Sequence, residues 1–348
     1  MIRELTKKLV GYQLSHPWHV LLIVLVLTGF VGYGFTFVTI KPSTEAILPS
    51  DNPVVTSLDT LRAQFYGDIV TLRIETEDAT SSTFLQKIDA VTNRIATLDN
   101  VGFVQSPTTR LQQQYGFIPT SSETLETADY GSLIGANRDV AVIQVQTDTQ
   151  AKTEEIRTLR DELEEALTSQ GLAEYTQLTG YSMIDLDMFG VILADFSRIT
   201  SIAFSVVLLV LYIIFRSVKK VLLAIAPVMF ALTWMIGIGS MFGAEITIIS
   251  MVSAAMIMGL GIDFGIHIVS KLYSINMTQT HIYESMNELS KGLLGGALTT
   301  STGFLALLAA QLTGMHSLGI YLAIGIFSAY IGVIVLLPTI IILLEVPQ

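Results

Sequence analysis

ITIISMVSAAMIMGLGIDFGIHIVSKL, residues Ile246 to Leu272, carries a single acid, Asp263, in an otherwise apolar run. A helix needs about 20 apolar residues to cross the hydrocarbon core of a bilayer, so the run reads as a membrane span. An ionised carboxylate near its middle costs at least ~2.5 kcal/mol, and such residues usually face a bundle interior or a water-filled path. Successive helical residues turn by about 100°, which puts Gly259, Asp263, His267 and Ser270 in one narrow sector. Gly259 on that stripe, with Gly261 and Gly265 beside it, is small enough to let a neighbouring helix come close. A buried carboxyl holds its proton more tightly than an exposed one, which suits reversible protonation. Asp263 is therefore a candidate proton relay; the plainer alternative is an Asp that only hydrogen-bonds another helix. His267, about one turn on, could pass protons or pair with Asp263, or simply mark the water boundary of the span.

Outward from this run, other stretches free of Asp, Glu, Lys and Arg mark further spans. Val10 to Ile40 is one, apolar from Trp18. It is too long for a cleaved signal peptide and no A-x-A site follows, so it reads as an uncleaved anchor. Ile199 to Phe215 and Val221 to Phe242 are the second and third. Gly292 to Leu344 is too long for one crossing and breaks at QLTGMHSLG, Gln311 to Gly319, giving the fifth and sixth. The fifth opens with LTTSTGF, Leu298 to Phe304. Its hydroxyls, Thr299 and Thr300 among them, could hydrate Asp263, or could bond carbonyls one turn earlier on their own helix. Gly292, Gly295 and Gly296 read as packing residues.

With six spans, the basic residues near span ends all fall on one side: Arg3, Lys7 and Lys8; Arg216, Lys219 and Lys220; Lys271 and Lys291. Basic flanks face the cytoplasm. The expectation is cytoplasmic termini and a residue 41–195 domain outside, in the inner membrane of a prokaryote. Composition agrees with a membrane protein: the 348 residues are 51% hydrophobic and only 14% charged, against about 25% charged in soluble domains. Lys41 to Asp195 holds 24 acids and 10 bases, the rest 6 acids and 9 bases. Such an acidic domain is a poor nucleic-acid binder, which needs a basic footprint. Cysteine is absent, which removes disulfides, thiol nucleophiles and thiolate metal sites. The histidines are too scattered for an obvious metal site, and no phosphate loop or G-x-S-x-G elbow is present. No catalysis and no cofactor are expected; the chemistry these residues offer is reversible protonation at Asp263.

The residue 41–195 region has its own rhythm. Asp68 to Glu75, Val101 to Gln105, Asp139 to Thr147 and Glu174 to Thr179 read as strands. Ser81 to Leu98 and Thr153 to Leu167 carry apolar residues at helical spacing. The order β-α-β-β-α-β is the split βαβ, or ferredoxin-like, arrangement. Ser106 to Asn137 reads as a long polar loop, of the kind that is often an interaction arm. The fold class is thus a bundle of six transmembrane helices with an extracytoplasmic α+β domain inserted between the first two. Its parts are residues 1–40, 41–195 and 196–348.

One span, an α/β domain and five further spans resemble the half-repeat of the resistance-nodulation-division (RND) superfamily. GLGIDFGIHI, Gly259 to Ile268, resembles the fourth-span motif G-x-G-x-D-[YF]-x-[IV]-H of its MMPL and hopanoid-exporter branch. FRSVKK (Phe215 to Lys220), LTTSTGFLAL (Leu298 to Leu307) and LLPTIIILL (Leu336 to Leu344) resemble the basic turn after the second span, the fifth-span motif and the sixth-span ending. The resemblance assigns Asp263 the role of proton-coupling carboxylate. Phe264 stands where many members have Tyr, so a hydroxyl partner of the Asp is missing. Typical members carry two halves in one chain, with the proton site between the fourth spans of both; this sequence spans one, and the other half is a second copy, a different subunit or a further part of the protein. The resemblance implies a proton-driven exporter of hydrophobic or amphiphilic molecules, lipids among them, assembled as a homodimer, with a trimer as the rival. The alternatives are a sterol-sensing-like scaffold and a SecDF-like accessory to protein export.

Overall fold

The computed structural model describes residues 2–41, 47–49, 51–65, 67–147, 153–274 and 278–345. The chain divides into two compact units, residues 1–49 with 192–348, and residues 50–191.

The first unit is helical. Among the described residues six helices are long and apolar enough to cross a membrane. They are α2 (Pro17–Tyr33, running on as a 3-10 turn to Phe37), α8 (Tyr181–Phe215), α9 (Val218–Met241), α10 (Ser253–Tyr273) and α11 (Gln279–Leu305). The sixth is α12 (Thr313–Ile331) continued by α13 (Leu337–Glu345). Pro17 occupies the first turn of α2, where its missing amide is not needed. α8 and α9 are joined by Arg216 and Ser217 alone, with Arg216 in the left-handed region at φ 49°. α9 lies at the centre of the bundle and α8 at its edge, most of its apolar residues exposed. Small residues set the spacing of α9 to its neighbours. A Cβ on Gly237 would fall on the Val31 carbonyl oxygen, and one on Gly34 would fall on the Gly237 carbonyl.

The sequence places the start of the fourth span at Ile246; the structure starts its helix at Ser253. Ile246–Thr247 instead forms a short strand, β6, parallel to β1 (Ile40–Lys41). Lys41 Nζ meets Glu245 Oε1 at 2.7 Å beside it. The Ser250 hydroxyl accepts from the Thr247 amide at 2.8 Å. These β-branched residues and hydroxyls fix the chain outside the helix, which apolar composition alone does not reveal. An unforeseen helix, α1 (Ile2–Ser15), precedes the first span and buries Val10 and Gln13. The last span is also irregular. Between α12 and α13, Gly332–Leu336 is a π-turn, and Pro338 follows it.

The second unit contains β2 (Ile69–Glu75), α4 (Ser82–Ile95), β3 (Val101–Gln105), β4 (Val140–Thr147), α7 (Thr153–Ser169) and β5 (Thr176–Thr179). The sheet runs β3-β4-β2-β5 with every pair antiparallel, the order of a split βαβ. Ser81 caps α4 by accepting from the Phe84 amide. Ile88, Val91 and Ile95 of α4 and Leu159, Leu163 and Leu167 of α7 bury against Leu72 and Ile74 of β2 and Ile143 and Val145 of β4. Each such side chain contributes roughly 1.5–3 kcal/mol, enough to hold both helices to the sheet. A further helix, α3 (Pro53–Phe65), precedes β2.

The stretch read as a long loop is folded. It holds α5 (Pro107–Tyr115) and α6 (Ser122–Thr127) over a small core of Leu85, Leu111, Leu125 and Tyr130. The Tyr130 hydroxyl donates to the Leu125 carbonyl at 2.9 Å. Polar composition hides these helices. The overlooked signal is the capping box of Ser106 and Thr109 with Pro107 at the first helical position, which marks a helix start.

Candidate functional site

α10 positions the candidate site because its two faces differ. Ile257, Gly261, Gly265, Ile268 and Leu272 are buried against the bundle, whereas Gly259, Asp263, His267 and Ser270 are exposed. The exposed set is the stripe that helical spacing predicts. Asp263 and His267 therefore share the open face of α10, one turn apart. Among the described residues neither has a hydrogen-bond or ion-pair partner.

The three glycines of the motif do different things. A Cβ on Gly265 would fall on the Ala224 carbonyl oxygen of α9, and one on Gly261 would press the Ala329 methyl of α12 at 3.3 Å. Nothing lies within 4 Å of a Cβ on Gly259. Gly265 thus sets the α9–α10 distance, and backbone cannot yield to a new methyl as a flexible side chain can. Overpacking costs about 1–3 kcal/mol or more. Gly265→Val should reach the upper end, seen as a fall in the thermal unfolding midpoint in detergent, while Gly259→Val leaves the midpoint unchanged.

The hydroxyls opening the fifth span do not reach Asp263. Thr299 donates to the Gly295 and Gly296 carbonyls of its own helix at 2.9 and 3.0 Å. Thr300 is half-buried and has no side-chain hydrogen bond among the described residues. Ser301, which the sequence does not single out, is buried and donates to the Ala323 carbonyl of α12 at 3.1 Å. Its place four residues after the buried Ala297 is the signal that separates it from its exposed neighbours. α11 carries a second open stripe: Gly292, Gly295, Gly296 and Gly303 have nothing within 4 Å of an added Cβ. Gly292, Gly295 and Gly296, read as packing residues, have no neighbour at their Cβ positions among the described residues. No group of three or more His, Asp and Glu converges on a possible metal position among the described residues.

The sequence matches the MMPL family over residues 46–345, which takes in the α+β unit and five of the six spans. The chain belongs to the MMPL family. It is therefore a multi-pass membrane protein and a transporter of the RND kind. A membrane protein of the archaeon Methanocaldococcus jannaschii is 25% identical to this MMPL chain over 369 residues, covering 99% of this chain and 95% of the relative. That relative is thus close to this chain in length. Within this MMPL chain, Asp263 and His267 lie on the open face of α10.

Proposed function

We propose that the protein is a half-size, proton-driven exporter of hydrophobic or amphiphilic molecules, lipids among them, that works as a homodimer. The observation that carries this reading is the open face of α10. A carboxylic acid and an imidazole sit within a candidate membrane span, without a hydrogen-bond or ion-pair partner among the described residues. Left against lipid, an ionised Asp costs at least ~2.5 kcal/mol, so the stripe needs a polar or watery neighbour. A second copy, related by a twofold axis along the membrane normal, supplies one: it places Asp263 and His267 of both chains around a shared core. The glycines of α11 and Gly259 leave room for close approach, as small residues do between membrane helices. A relative close to this chain in length supports assembly from separate chains. Protonation at Asp263 biases the bundle, and the α+β unit passes substrate outward.

The functional test is proton flux in reconstituted vesicles. The protein should dissipate an imposed pH gradient only when an amphiphile is supplied. No flux with any member of a panel of lipids and detergents would overturn the export reading.

Topology follows from the same proposal. Arg216, Lys219, Lys220 and Lys271 lie at one set of helix ends, and the positive-inside rule makes that side cytoplasmic. The residue 50–191 unit is then extracytoplasmic. Single cysteines introduced at Ser122 and Thr280 into this cysteine-free chain check it. An impermeant thiol reagent added outside intact cells should label position 122 and spare position 280; labelling at 280 reverses the topology.

A further inference from the structure

Gln13 of α1 is fully buried, although it is a long polar side chain on a helix that only precedes the first span. Its Nε2 donates to two carbonyls far along the chain, Ile334 at 3.1 Å and Val335 at 3.0 Å. Both belong to the π-turn Gly332–Leu336. Within that turn the Leu337 amide bonds back to the Gly332 carbonyl, five residues away instead of four. The next residue, Pro338, has no amide hydrogen. The Ile334 carbonyl lies four residues before it and so lacks the donor that an ordinary helix supplies. In lipid an unsatisfied carbonyl costs several kcal/mol, and Gln13 meets that need from another helix.

The surroundings show that this is a joint. A Cβ added to Gly332 would lie 3.2 Å from the Cα of Pro227, the proline inside α9, and 3.0 Å from the Phe230 ring. The π-turn of the last span therefore packs beside the proline inside α9. π-turns inside helices occur often at functional sites, and sharp changes of helix direction gather at prolines and π-turns. Gln13 is also held incompletely. Its Oε1 is buried and has no hydrogen-bond partner among the described residues, a cost that opposes staying in place.

We propose that Gln13 is a releasable latch on a hinge in the last span. Engaged, it supplies the donor that Pro338 lacks and holds the π-turn where it is. Released, it frees its own unsatisfied amide oxygen, and the Ile334 carbonyl must take the next amide along, so the π-turn shifts and α12 and α13 re-angle. α1 is then the lever of the hinge. This device stands apart from the proton stripe of α10 and does not depend on it.

The test separates a latch from an ordinary buried polar residue by pairing two substitutions. Gln13→Met keeps length and removes the donor; Pro338→Ala restores the missing amide and removes the need for it. Hydrogen exchange by mass spectrometry, on the full chain in lipid nanodiscs, reads peptides covering residues 332–341. Gln13→Met alone should raise exchange there at least tenfold. In the Pro338→Ala background the same substitution should change it less than twofold. An equal rise in both backgrounds, or none in either, overturns the latch. Should Gln13→Met fail to fold, the double variant should recover folding, and its failure to do so overturns the proposal equally.

Discussion

Asn in place of Asp263 should abolish proton-coupled transport and leave the protein folded and inserted. The two side chains are nearly isosteric, and Asp263 has no hydrogen bond or ion pair among the described residues, so the substitution breaks no such contact in the bundle. Surface-type substitutions of this kind usually change stability by no more than about 0.5 kcal/mol. Removing an ionisable group from a span relieves a desolvation cost instead of adding one. What is lost is the ability to bind and release a proton. In vesicles, substrate-dependent dissipation of a pH gradient should fall to the rate of protein-free vesicles, with the unfolding midpoint and elution profile unchanged. Full flux in Asp263→Asn would end the relay reading, whatever the fold.

The second large effect concerns assembly. Cysteines placed singly along α10 should cross-link two copies with helical periodicity, because a disulfide forms only when the Cα atoms come within about 7 Å. Positions 256, 259, 263, 267 and 270 are exposed, and 257, 261, 265 and 268 are buried against the same chain. Oxidation in native membranes should trap dimers at members of the first set and none at the second. Closed twofold dimers are the commonest oligomers. A ladder that reaches trimers, or no cross-link at any exposed position, removes the shared core.

The spans were legible in the sequence because absence of charge over about 20 residues has almost one physical meaning. The stripe of α10 was legible for a related reason, since helical spacing alone sorts Asp263 and His267 onto one side. The split βαβ could be read because its strands alternate and its helices repeat every three to four residues. What escaped depends on contacts distant in sequence. Ile246 and Thr247 look like span residues until Ile40 and Lys41 pair with them. Gln13 lies 321 positions from the carbonyl it serves. α5 and α6 were hidden by threonine and glutamine, which carry little periodicity, although the Ser106 cap announced the first of them. For Thr299, spacing could not choose between facing Asp263 and bonding its own helix; the structure has it bonding Gly295 and Gly296.

The parallel pair of β1 and β6 joins the end of the first span to the segment that opens α10. A pull along the strands loads its hydrogen bonds in shear, all at once, whereas a sideways pull peels them one by one. The Lys41–Glu245 contact adds an ionic tie at the same point. The first span and the segment that opens α10 are therefore tied at one point by backbone pairing and an ion pair together.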